Sequence, residues 1–475
     1  MTDLDAIVVG SGPNGLVAAL LLARAGRKVV VLEAADTPGG GTRSAELMRS
    51  GVIHDICSAI HPLANASPVF RQLADDGLLD GLEWVHPDIP LAHPLDGGRA
   101  ALLHRSLEDT ATGLGADAGA YTRLFGPHVE AGFELTDGLL SPLSIPPRHP
   151  LRLARFGLAG IRSARGLGRS AFDTEDARAL LAGLAAHSVL SLRSPATAAY
   201  GLVLGVLAHT VGWPMAGGGS QRIADVLVRG IVAHGGRVEC GHRVRSIDEL
   251  PPARAVVLDL TPRQVLAVLG DRAPARYART LARYRYGAGV FKIDWILNAP
   301  IPWSSAGCGG AGTVHLGGTL DEITDAEHDV MSGRHPERPY VLLAQQTRFD
   351  PLRAPVGVHT AWAYCHVPSG SVVDMTDRIE RQVERFAPGF RDTIVERHVM
   401  TTTAMEAHNE NYVGGDINGG TGDVRQFVAR PRLGLHPWRT PIDGVWLCSA
   451  STPPGGGVHG MGGFHAATDV LARQD

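Results

Sequence analysis

Along the first forty residues, apolar runs alternate with glycine-rich turns. Residues 6–9 (AIVV) form an apolar run that suits a buried strand, and the turn GSGPNG follows it directly. Residues 16–25 (LVAALLLARA) are apolar over about three helical turns and are followed by Gly26, so they predict a helix that ends there. Residues 28–32 (KVVVL) predict a second strand. The order of strand, helix and strand predicts a βαβ unit, in which the two strands are parallel.

The turn after the first strand has the spacing of a dinucleotide-binding loop. Gly10 and Gly12 allow the backbone to bend and to approach a pyrophosphate, and Gly15 allows the helix to pack closely on the strand. The start of the helix offers unpaired N–H groups and the positive end of its dipole to the phosphates. Glu33 follows the second strand, 18 residues after Gly15, where a carboxylate would accept hydrogen bonds from a ribose. These features in register predict a dinucleotide site.

A second glycine cluster favours a flavin dinucleotide over a nicotinamide one. Residues 39–41 (GGG) lie six to eight residues past Glu33 and are followed by Thr42 and Arg43. A plain nicotinamide-binding domain does not need these glycines, whereas backbone here could approach an extended second half of a cofactor. The segment from residue 6 to residue 43 resembles the N-terminal signature of the FAD-binding amine oxidase and phytoene desaturase superfamily. The resemblance implies that the cofactor is FAD.

Two later segments carry the same resemblance. Residues 217–247, from GGGSQR to GHRVRSI, are similar to the helix and strand that return to the cofactor domain, with the backbone near Val244 facing the adenine. Residues 444–461 (GVWLCSASTPPGGGVHGM) are similar to the final strand and the flavin-contacting loop, which lead into a last helix from about Gly462. As a whole, the chain is most similar to the branch called phytoene dehydrogenase-like, or pyridine nucleotide-disulphide oxidoreductase domain-containing, proteins. The cofactor-binding residues implied are Gly10, Ser11, Gly12, Pro13, Asn14, Gly15, Glu33, Ala34, Gly40, Gly41, Thr42, Arg43, Val244, Gly457, Val458 and Met461.

The resemblance implies an α/β fold in which a Rossmann-type FAD-binding domain (GR2-like) is interleaved with an α+β substrate domain that carries a helical cap. The FAD-binding domain would comprise residues 1–75, 215–262 and 425–475, and the substrate domain residues 76–214 and 263–424. A length of 475 residues is sufficient for two domains, and a formal charge of −4 does not indicate a nucleic acid partner. Because the acidic start MTDLD enters the first strand directly, we expect no secretory signal and a cytoplasmic protein.

The cysteines argue against dithiol chemistry. Cys57, Cys240, Cys308, Cys365 and Cys448 are isolated, with no CxxC or similar spacing. Five scattered cysteines suggest a reducing compartment without a disulphide framework. The sequence also has no second GxGxxG after a strand, so we expect oxygen, a quinone or another carrier to reoxidise the flavin rather than NAD(P)H.

Two stretches of the substrate domain raise the question of a membrane. Residues 148–169, which begin at Arg148 and end at Arg169, contain six arginines and no acid, interleaved with Leu, Phe and Ile. This composition is typical of a helix on an anionic membrane surface, but it also fits a solvated cap helix. Residues 194–221 carry no formal charge and would be long enough to span a membrane. Since Pro195, Pro214 and three glycines bracket the apolar part, we expect a buried helix that lines an apolar cavity.

Three side chains are candidates for catalysis. Lys292 lies in the apolar run 288–297 (AGVFKIDWIL), where an unpaired ammonium would be costly unless it reaches water or pairs with Asp294 on the same strand face. The resemblance implies a lysine that bonds through a water to flavin N5, and Lys292 resembles that residue. His61 lies in HDICSAIHPL, which resembles the part of the superfamily fold that passes alongside the isoalloxazine ring, and His459 lies beside the final loop. Both are candidates for substrate or flavin contact or, alternatively, for packed or surface residues among 21 histidines. We expect no metal site, because the histidine neighbourhoods lack ligand spacing.

The function implied is that of an FAD-dependent oxidoreductase, a dehydrogenase, desaturase or oxidase that moves a hydride from a largely apolar organic substrate to flavin N5. Hydride transfer places negative charge on the N1/O2 edge of the ring, which the start of a helix near Gly462 would stabilise. Two alternatives remain at this point. One is a flavin-dependent isomerase without net redox, and the other is a non-catalytic flavin-binding interaction protein.

Overall fold

The computed structural model of the chain describes residues 4–141 and 149–474. In chain order the strands are β1 (Leu4–Val9), β2 (Val29–Leu32), β3 (Ser44–Ala45), β4 (His54–Asp55), β5 (Trp84–Val85), β6 (Ile89–Leu95), β7 (Arg99–Leu103), β8 (Met215–Ala216), β9 (Arg237–Glu239), β10 (Ala253–Leu258), β11 (Gly289–Leu297), β12 (Ala311–Leu316), β13 (Val341–Ala344), β14 (His359–Val367), β15 (Ile394–Met400) and β16 (Val445–Leu447). The helices are α1 (Pro13–Arg24), α2 (Pro62–Ala66), α3 (Pro68–Asp75), α4 (Leu107–Gly113), α5 (Ala118–Ala131), α6 (Phe133–Leu140), α7 (Pro150–Gly160), α8 (Ala164–Ala171), α9 (Glu175–Ala186), α10 (Thr197–Thr210), α11 (Gln221–Ala233), α12 (Pro262–Leu269), α13 (Ala275–Ala282), α14 (Ala306–Gly309), α15 (Leu320–Met331), α16 (Thr376–Phe386), α17 (Phe390–Thr393), α18 (Thr402–His408), α19 (Val424–Val428) and α20 (Met461–Gln474).

The first large sheet is parallel and has the strand order β16-β10-β1-β2-β9. Helices α1, α11 and α20 pack on one face of it through apolar side chains such as Leu16, Leu227 and Val470. Helices α12 and α13 cover the other face, where Ile7 and Leu281 belong to one buried cluster. A parallel sheet that is covered on both faces by helices is a Rossmann-type arrangement, which confirms the predicted fold class.

The strands of this parallel sheet come from three distant parts of the chain. β1 and β2 precede residue 75, β9 and β10 lie between residues 237 and 258, and β16 lies near the C-terminus. Each strand falls within one of the three segments assigned to the cofactor domain from the sequence. The exact domain boundaries stay a prediction.

The second large sheet is mixed, with the order β15-β11-β14-β13-β12-β6-β7, in which only the pair β12 and β6 is parallel. All nine residues of β11 are buried, and β14 and β15 pair with this strand on its two edges. The cap consists of helices α4 to α10, whose apolar side chains, including Phe125, Phe156 and Leu202, share one core.

The uncharged stretch forms α10, a helix of 14 residues, as expected. Its residues Val203, Leu204 and Leu207 line the large cavity described below, which confirms the predicted buried helix beside a cavity. Within the described part of the chain, no helix has both the length and the apolar composition to cross a membrane.

The arginine-rich stretch is divided into two helices, α7 and α8, rather than forming one. The break lies at residues 161–163, and the Ser163 hydroxyl caps α8 by accepting a hydrogen bond from the Gly166 N–H. Arg165 and Arg169 both pair with Asp321. Arg148, the first residue of this predicted segment, lies outside the described residues.

Candidate functional site

One cavity of about 840 Å³ runs from the glycine loop of β1 and α1 to the helical cap. Its lining includes residues of the parallel sheet, of the cap and of the loop before α20. The predicted cofactor residues that line it are Gly10, Ser11, Gly12, Pro13, Asn14, Glu33, Ala34, Gly40, Gly41, Arg43, Val244, Gly457 and Val458. Gly15, Thr42 and Met461 lie behind this lining. The three sequence segments that were linked by resemblance therefore meet at one cleft.

The glycines of the first loop are required by close packing. A Cβ at Gly12 would lie 2.5 Å from Asp259 Oδ2, and a Cβ at Gly15 would lie 2.2 Å from the Gly10 carbonyl oxygen. A Cβ at Gly40 would lie 3.0 Å from the Gly12 Cα, so the two glycine clusters pack against each other. Gly12 has no side chain to cap α1, Pro13 has no N–H, and the Gly15 N–H donates to Asp259. Among the described residues the Asn14 N–H has no acceptor, so it is the first-turn donor that remains for a ligand. This geometry suits a pyrophosphate.

The far end of the chain reaches this loop through α20. A Cβ at Gly463 would lie 1.9 Å from the Asn14 carbonyl oxygen, so the first turn of α20 packs directly on the start of α1. Thr42 is fully buried and its hydroxyl donates to the Gly39 carbonyl, which fixes the second glycine cluster. The buried Asn14 Oδ1 has no hydrogen-bond partner within the described residues. An unpaired polar atom at this position fits a cleft that is built to hold a polar ligand.

Glu33 is held at the opposite end of the loop. Its Oε2 accepts hydrogen bonds from the Ser11 N–H at 2.8 Å and the Ser11 hydroxyl at 2.6 Å. Its Oε1 accepts from the Ala35 N–H at 2.9 Å. These bonds orient the carboxylate along the rim of the cavity, which Val244 also lines. The contacts of Glu33 with a ribose and of Val244 with an adenine, which the resemblance implies, stay predictions.

Asp259 is a member of the site that no sequence motif indicated. It follows β10, its carboxyl group is buried, and its Oδ2 accepts a hydrogen bond from the Gly15 N–H at 3.1 Å. Desolvation by burial and the nearby Glu33 carboxylate raise the pKa of Asp259 to about 7, although bonds from the Gly15 and Gly12 N–H groups oppose this shift. Near neutral pH this carboxyl group is therefore partly protonated.

His61 and His459 both border the cavity, as predicted. His61 is buried, and its Nε2 lies 2.9 Å from the Ser220 hydroxyl. His459 Nδ1 accepts a hydrogen bond from the Met461 N–H, and its Nε2 donates to the Gly455 carbonyl. Desolvation by burial lowers the pKa of each imidazole to about 4, so both are neutral at physiological pH. His459 thus fixes the loop before α20, and its contact with a ligand stays a prediction, as does that of His61.

The structure does not place Lys292 at the cavity. Its Nζ pairs with Asp294, two residues further along β11, and both side chains are buried. His54 Nδ1 and His398 Nδ1 lie 3.6 Å and 3.9 Å from the Asp294 carboxylate. Burial raises the pKa of Asp294, but the Lys292 ammonium together with the His398 and His54 side chains lowers it by more, so the net pKa is well below its usual range. This is the same-face pairing named as the alternative for Lys292, and a role at a flavin stays a prediction.

Two further polar side chains of the cavity were not found from the sequence. Arg430 is 4% exposed and donates hydrogen bonds to the Ala450 carbonyl at 2.8 Å and the Asn418 carbonyl at 2.7 Å. Its guanidinium lies beside Gly455, at the loop before α20. His187 lies at the other end of the cavity, next to α10. Neither residue lies in a motif, so only the three-dimensional arrangement identifies them.

Comparison with known proteins defines the class of the molecule. Residues 8–76 match the family model described as an NAD(P)-binding Rossmann-like domain, which confirms the predicted dinucleotide site. The fold and the site are those of an oxidoreductase with a dinucleotide-binding domain. The cofactor predicted from the resemblance is FAD, and the lining residues named above are the ones that would hold it.

Individual relatives are similar over almost the whole chain. The rat (Rattus norvegicus) pyridine nucleotide-disulfide oxidoreductase domain-containing protein 2 is 26% identical, with 99% of this chain and 93% of that protein covered. One subunit of the limonene dehydrogenase of Castellaniella defragrans is 22% identical, with 98% and 94% covered. Among solved structures, putrescine oxidase aligns with a TM-score of 0.64 and 18% identity over 99% of each chain. The name of the rat relative is that of the branch the sequence resembles, and the solved structure shares the fold.

Proposed function

We propose that the protein is an FAD-dependent oxidoreductase that removes a hydride from a largely apolar organic substrate. The observation that carries this proposal is the continuity of the cavity. A dinucleotide with its pyrophosphate at the start of α1 and its adenosine at Glu33 would direct its other end toward the loop at Gly457. Beyond that loop the same cavity continues into a chamber under the cap.

The residues that would hold the cofactor are already fixed in position by the hydrogen bonds and close contacts described above. Glu33 would accept hydrogen bonds from the ribose, Gly12 would approach the pyrophosphate, and Val458 would lie at the flavin. FAD, when bound, would supply a hydride acceptor at N5. The start of α20 and the buried Arg430 cation provide positive potential beside the loop where negative charge would accumulate.

The chamber under the cap favours an apolar substrate. Its lining includes Leu204, Leu207, Leu342 and Trp362. Among the described lining residues the acidic ones are Glu33, Asp259 and Glu410, which belong to the dinucleotide end. A cationic amine would therefore find no carboxylate partner among the described residues of the chamber. The similarity to a component of limonene dehydrogenase supports an apolar substrate more than the similarity to putrescine oxidase supports an amine.

Anaerobic reduction of the flavin tests this function. The FAD-loaded protein would be mixed without oxygen with a panel of terpenes, polyenes, long-chain alcohols and amines. We expect an apolar member to bleach the flavin absorbance and to yield a product lighter by two hydrogens. Bleaching by amines alone would contradict the apolar assignment. A product of unchanged mass with a moved double bond would identify an isomerase, and an inert flavin with every member would favour a binding protein.

Peripheral membrane contact through residues 148–169 also stays a proposal. It is supported by the exposed side chains Leu151, Leu158 and Ile161 on and beside α7.

A further inference from the structure

His187 is one of the polar groups at the substrate end of the cavity, where Tyr200 and Tyr364 also line it. It follows α9 directly and is partly exposed to the cavity space. Its neighbours in the lining are mostly apolar side chains, including Val203, Leu204 and Leu342. Because a mostly apolar surface provides few hydrogen bonds, each polar group there has a large effect on which molecules bind.

A second histidine holds the ring of His187. The Nε2 atom of His187 lies 3.0 Å from the Nε2 atom of His315, which belongs to β12 and is fully buried. One proton is shared in this contact, so one ring donates and the other accepts. Since Nε2 of His187 points at the buried His315, Nδ1 is the ring nitrogen left for the cavity. No hydrogen bond to His187 Nδ1 is found among the described residues.

The surroundings of His315 decide which ring donates. His315 Nδ1 has no hydrogen-bond partner within the described part of the chain, and the same is true of His93 Nδ1. Both atoms lie beside Gly183, where a Cβ would come within 2.8 Å and 2.9 Å of them. A buried N–H without an acceptor is rarer and costlier than a bare acceptor. His315 therefore carries its proton on Nε2 and donates to His187, which then carries its own proton on Nδ1.

Both imidazoles are neutral over the physiological range. Desolvation by burial, with a smaller contribution from His366, lowers the pKa of His187 to about 3. Burial likewise holds the pKa of His315 well below its usual range, with His187 and His93 lowering it further. The group that faces the cavity is thus an uncharged N–H donor and not an imidazolium.

We propose that His187 Nδ1–H recognises an uncharged oxygen of the substrate, a carbonyl above all, and that His315 is the positioning residue that fixes its tautomer. This inference rests on the proposed function and specifies its substrate class as an oxygenated apolar molecule. A bare hydrocarbon offers no acceptor for this donor. An ammonium group offers donors only, so the geometry also disfavours amines.

The test compares three probes that share a carbon skeleton. Limonene has no polar group, carvone adds a carbonyl oxygen, and carveol adds a hydroxyl group. Trp213 and Trp362 line the cavity, so tryptophan fluorescence reports binding without any need for turnover. We expect the wild type to bind carvone roughly tenfold more tightly than limonene, the range of one neutral hydrogen bond, with a ratio that does not change between pH 5.5 and 8.5.

Four variants separate recognition from folding. His187→Leu removes the donor. We expect the ratio of its carvone affinity to its limonene affinity to fall to about one, while the affinity for limonene itself is kept. His315→Leu should lower the ratio in the same way, although His315 does not line the cavity. His187→Gln keeps a donor and should retain part of the ratio. His234→Leu, at an exposed position after α11, is the control and should match the wild type.

A wild-type ratio that persists in His187→Leu would overturn the proposal, as would a wild-type ratio of about one. Tighter binding of carveol without tighter binding of carvone would mean that His187 presents an acceptor, and it would overturn the tautomer assignment. If His187→Leu does not fold, as judged by circular dichroism, the carvone-to-limonene affinity ratios of His187→Gln and His315→Leu test the proposal in its place. Because fluorescence also reads probe binding to the FAD-free protein, failure to bind FAD would reject the proposed function without affecting this result.

Discussion

At the scale of single residues, the buried carboxyl group of Asp259 is an unusual neighbour for a site that is built for phosphates. It sits beneath the glycine loop, where its Oδ2 accepts a hydrogen bond from the Gly15 N–H. An ionised carboxylate would repel a bound pyrophosphate, whereas a protonated one would not. Its protonation therefore concerns both stability and cofactor binding.

We predict that Asp259→Asn removes a pH dependence of stability. Because burial raises the pKa of Asp259 from 3.8 to about 7 in the folded protein, the folded state binds this proton more tightly than the unfolded state does. The wild type should thus lose free energy of unfolding relative to the variant as pH rises from 4 to 7. The full difference should reach a few kcal/mol by about pH 8. Urea denaturation of the FAD-free proteins at pH 5, 6.5 and 8 measures this difference.

Asp36→Asn provides the matched control, since Asp36 is exposed and follows the nearby β2. Its difference from the wild type should be the same at all three pH values. A constant difference for Asp259→Asn as well would show that Asp259 does not titrate in this range.

The pair of Lys292 and Asp294 leads to a second prediction at this scale. Lys292→Met leaves the Asp294 carboxylate buried without its cation, which we expect to cost about 3 kcal/mol of unfolding free energy. The double variant Lys292→Met/Asp294→Leu should recover most of this loss, because both charges are removed together. Thermal and urea denaturation of the single and double variants measure this coupling.

Equal stability of the single variant and the wild type would argue against the ion pair. Rates of flavin reduction and reoxidation in the double variant separately test the lysine role that the resemblance implies. Unchanged rates would remove Lys292 from the catalytic residues.

At the scale of elements, β1, α1, β2, α10 and β11 can be predicted from the sequence because each has a strong local pattern. The predicted α1 begins too late, at residue 16, whereas the helix starts at Pro13. Proline is favourable in the first turn, where its missing N–H costs nothing, so Pro13 itself marks the true start. The composition of residues 148–169 predicts one helix in place of α7 and α8, since arginine content alone does not mark the cap at Ser163.

Other parts of the site could not be predicted because they depend on contacts between distant elements. Asp259 reaches the glycine loop only because β10 pairs with β1 in the register Val9 to Leu258. His187 and His315 meet only because α9 packs over β12. No local pattern encodes such contacts. His61 and His459, in contrast, lie in segments that carry the resemblance, and for this reason both could be placed at the cavity from the sequence.

The exposed leucines of α7 allow a prediction about membrane contact. Arg165 and Arg169 are paired with Asp321, so contact would depend mainly on Leu151 and Leu158, which are 85% and 77% exposed. We expect the wild type to cosediment with phosphatidylserine vesicles and the variant Leu151→Gln/Leu158→Gln to stay in solution. The substitution of Val356→Gln, also fully exposed, is the control. If the wild type does not cosediment, α7 is a solvated cap helix.

At the scale of the whole molecule, one parallel sheet is assembled from the two ends and the middle of the chain. Its cleft is closed by α20, whose Gly463 packs on Asn14 at the start of α1. A dinucleotide in this cleft would contact all three segments at once, so its binding should stabilise the entire fold. The chamber under the cap opens into the same cavity, which connects cofactor and substrate in one space.

Titration of the FAD-free protein with FAD measures directly whether this cleft binds the cofactor. We predict one FAD per chain for the wild type, with the shifted flavin absorbance of a bound ring. Gly12→Val should lose at least a hundredfold in affinity, because its Cβ would lie 2.5 Å from Asp259 Oδ2 and the glycine loop would have to shift. Gly434→Ala, which has open space around it, should bind FAD as the wild type does. Absence of FAD binding by the wild type, or equal binding by Gly12→Val, would show that FAD does not bind at this glycine loop.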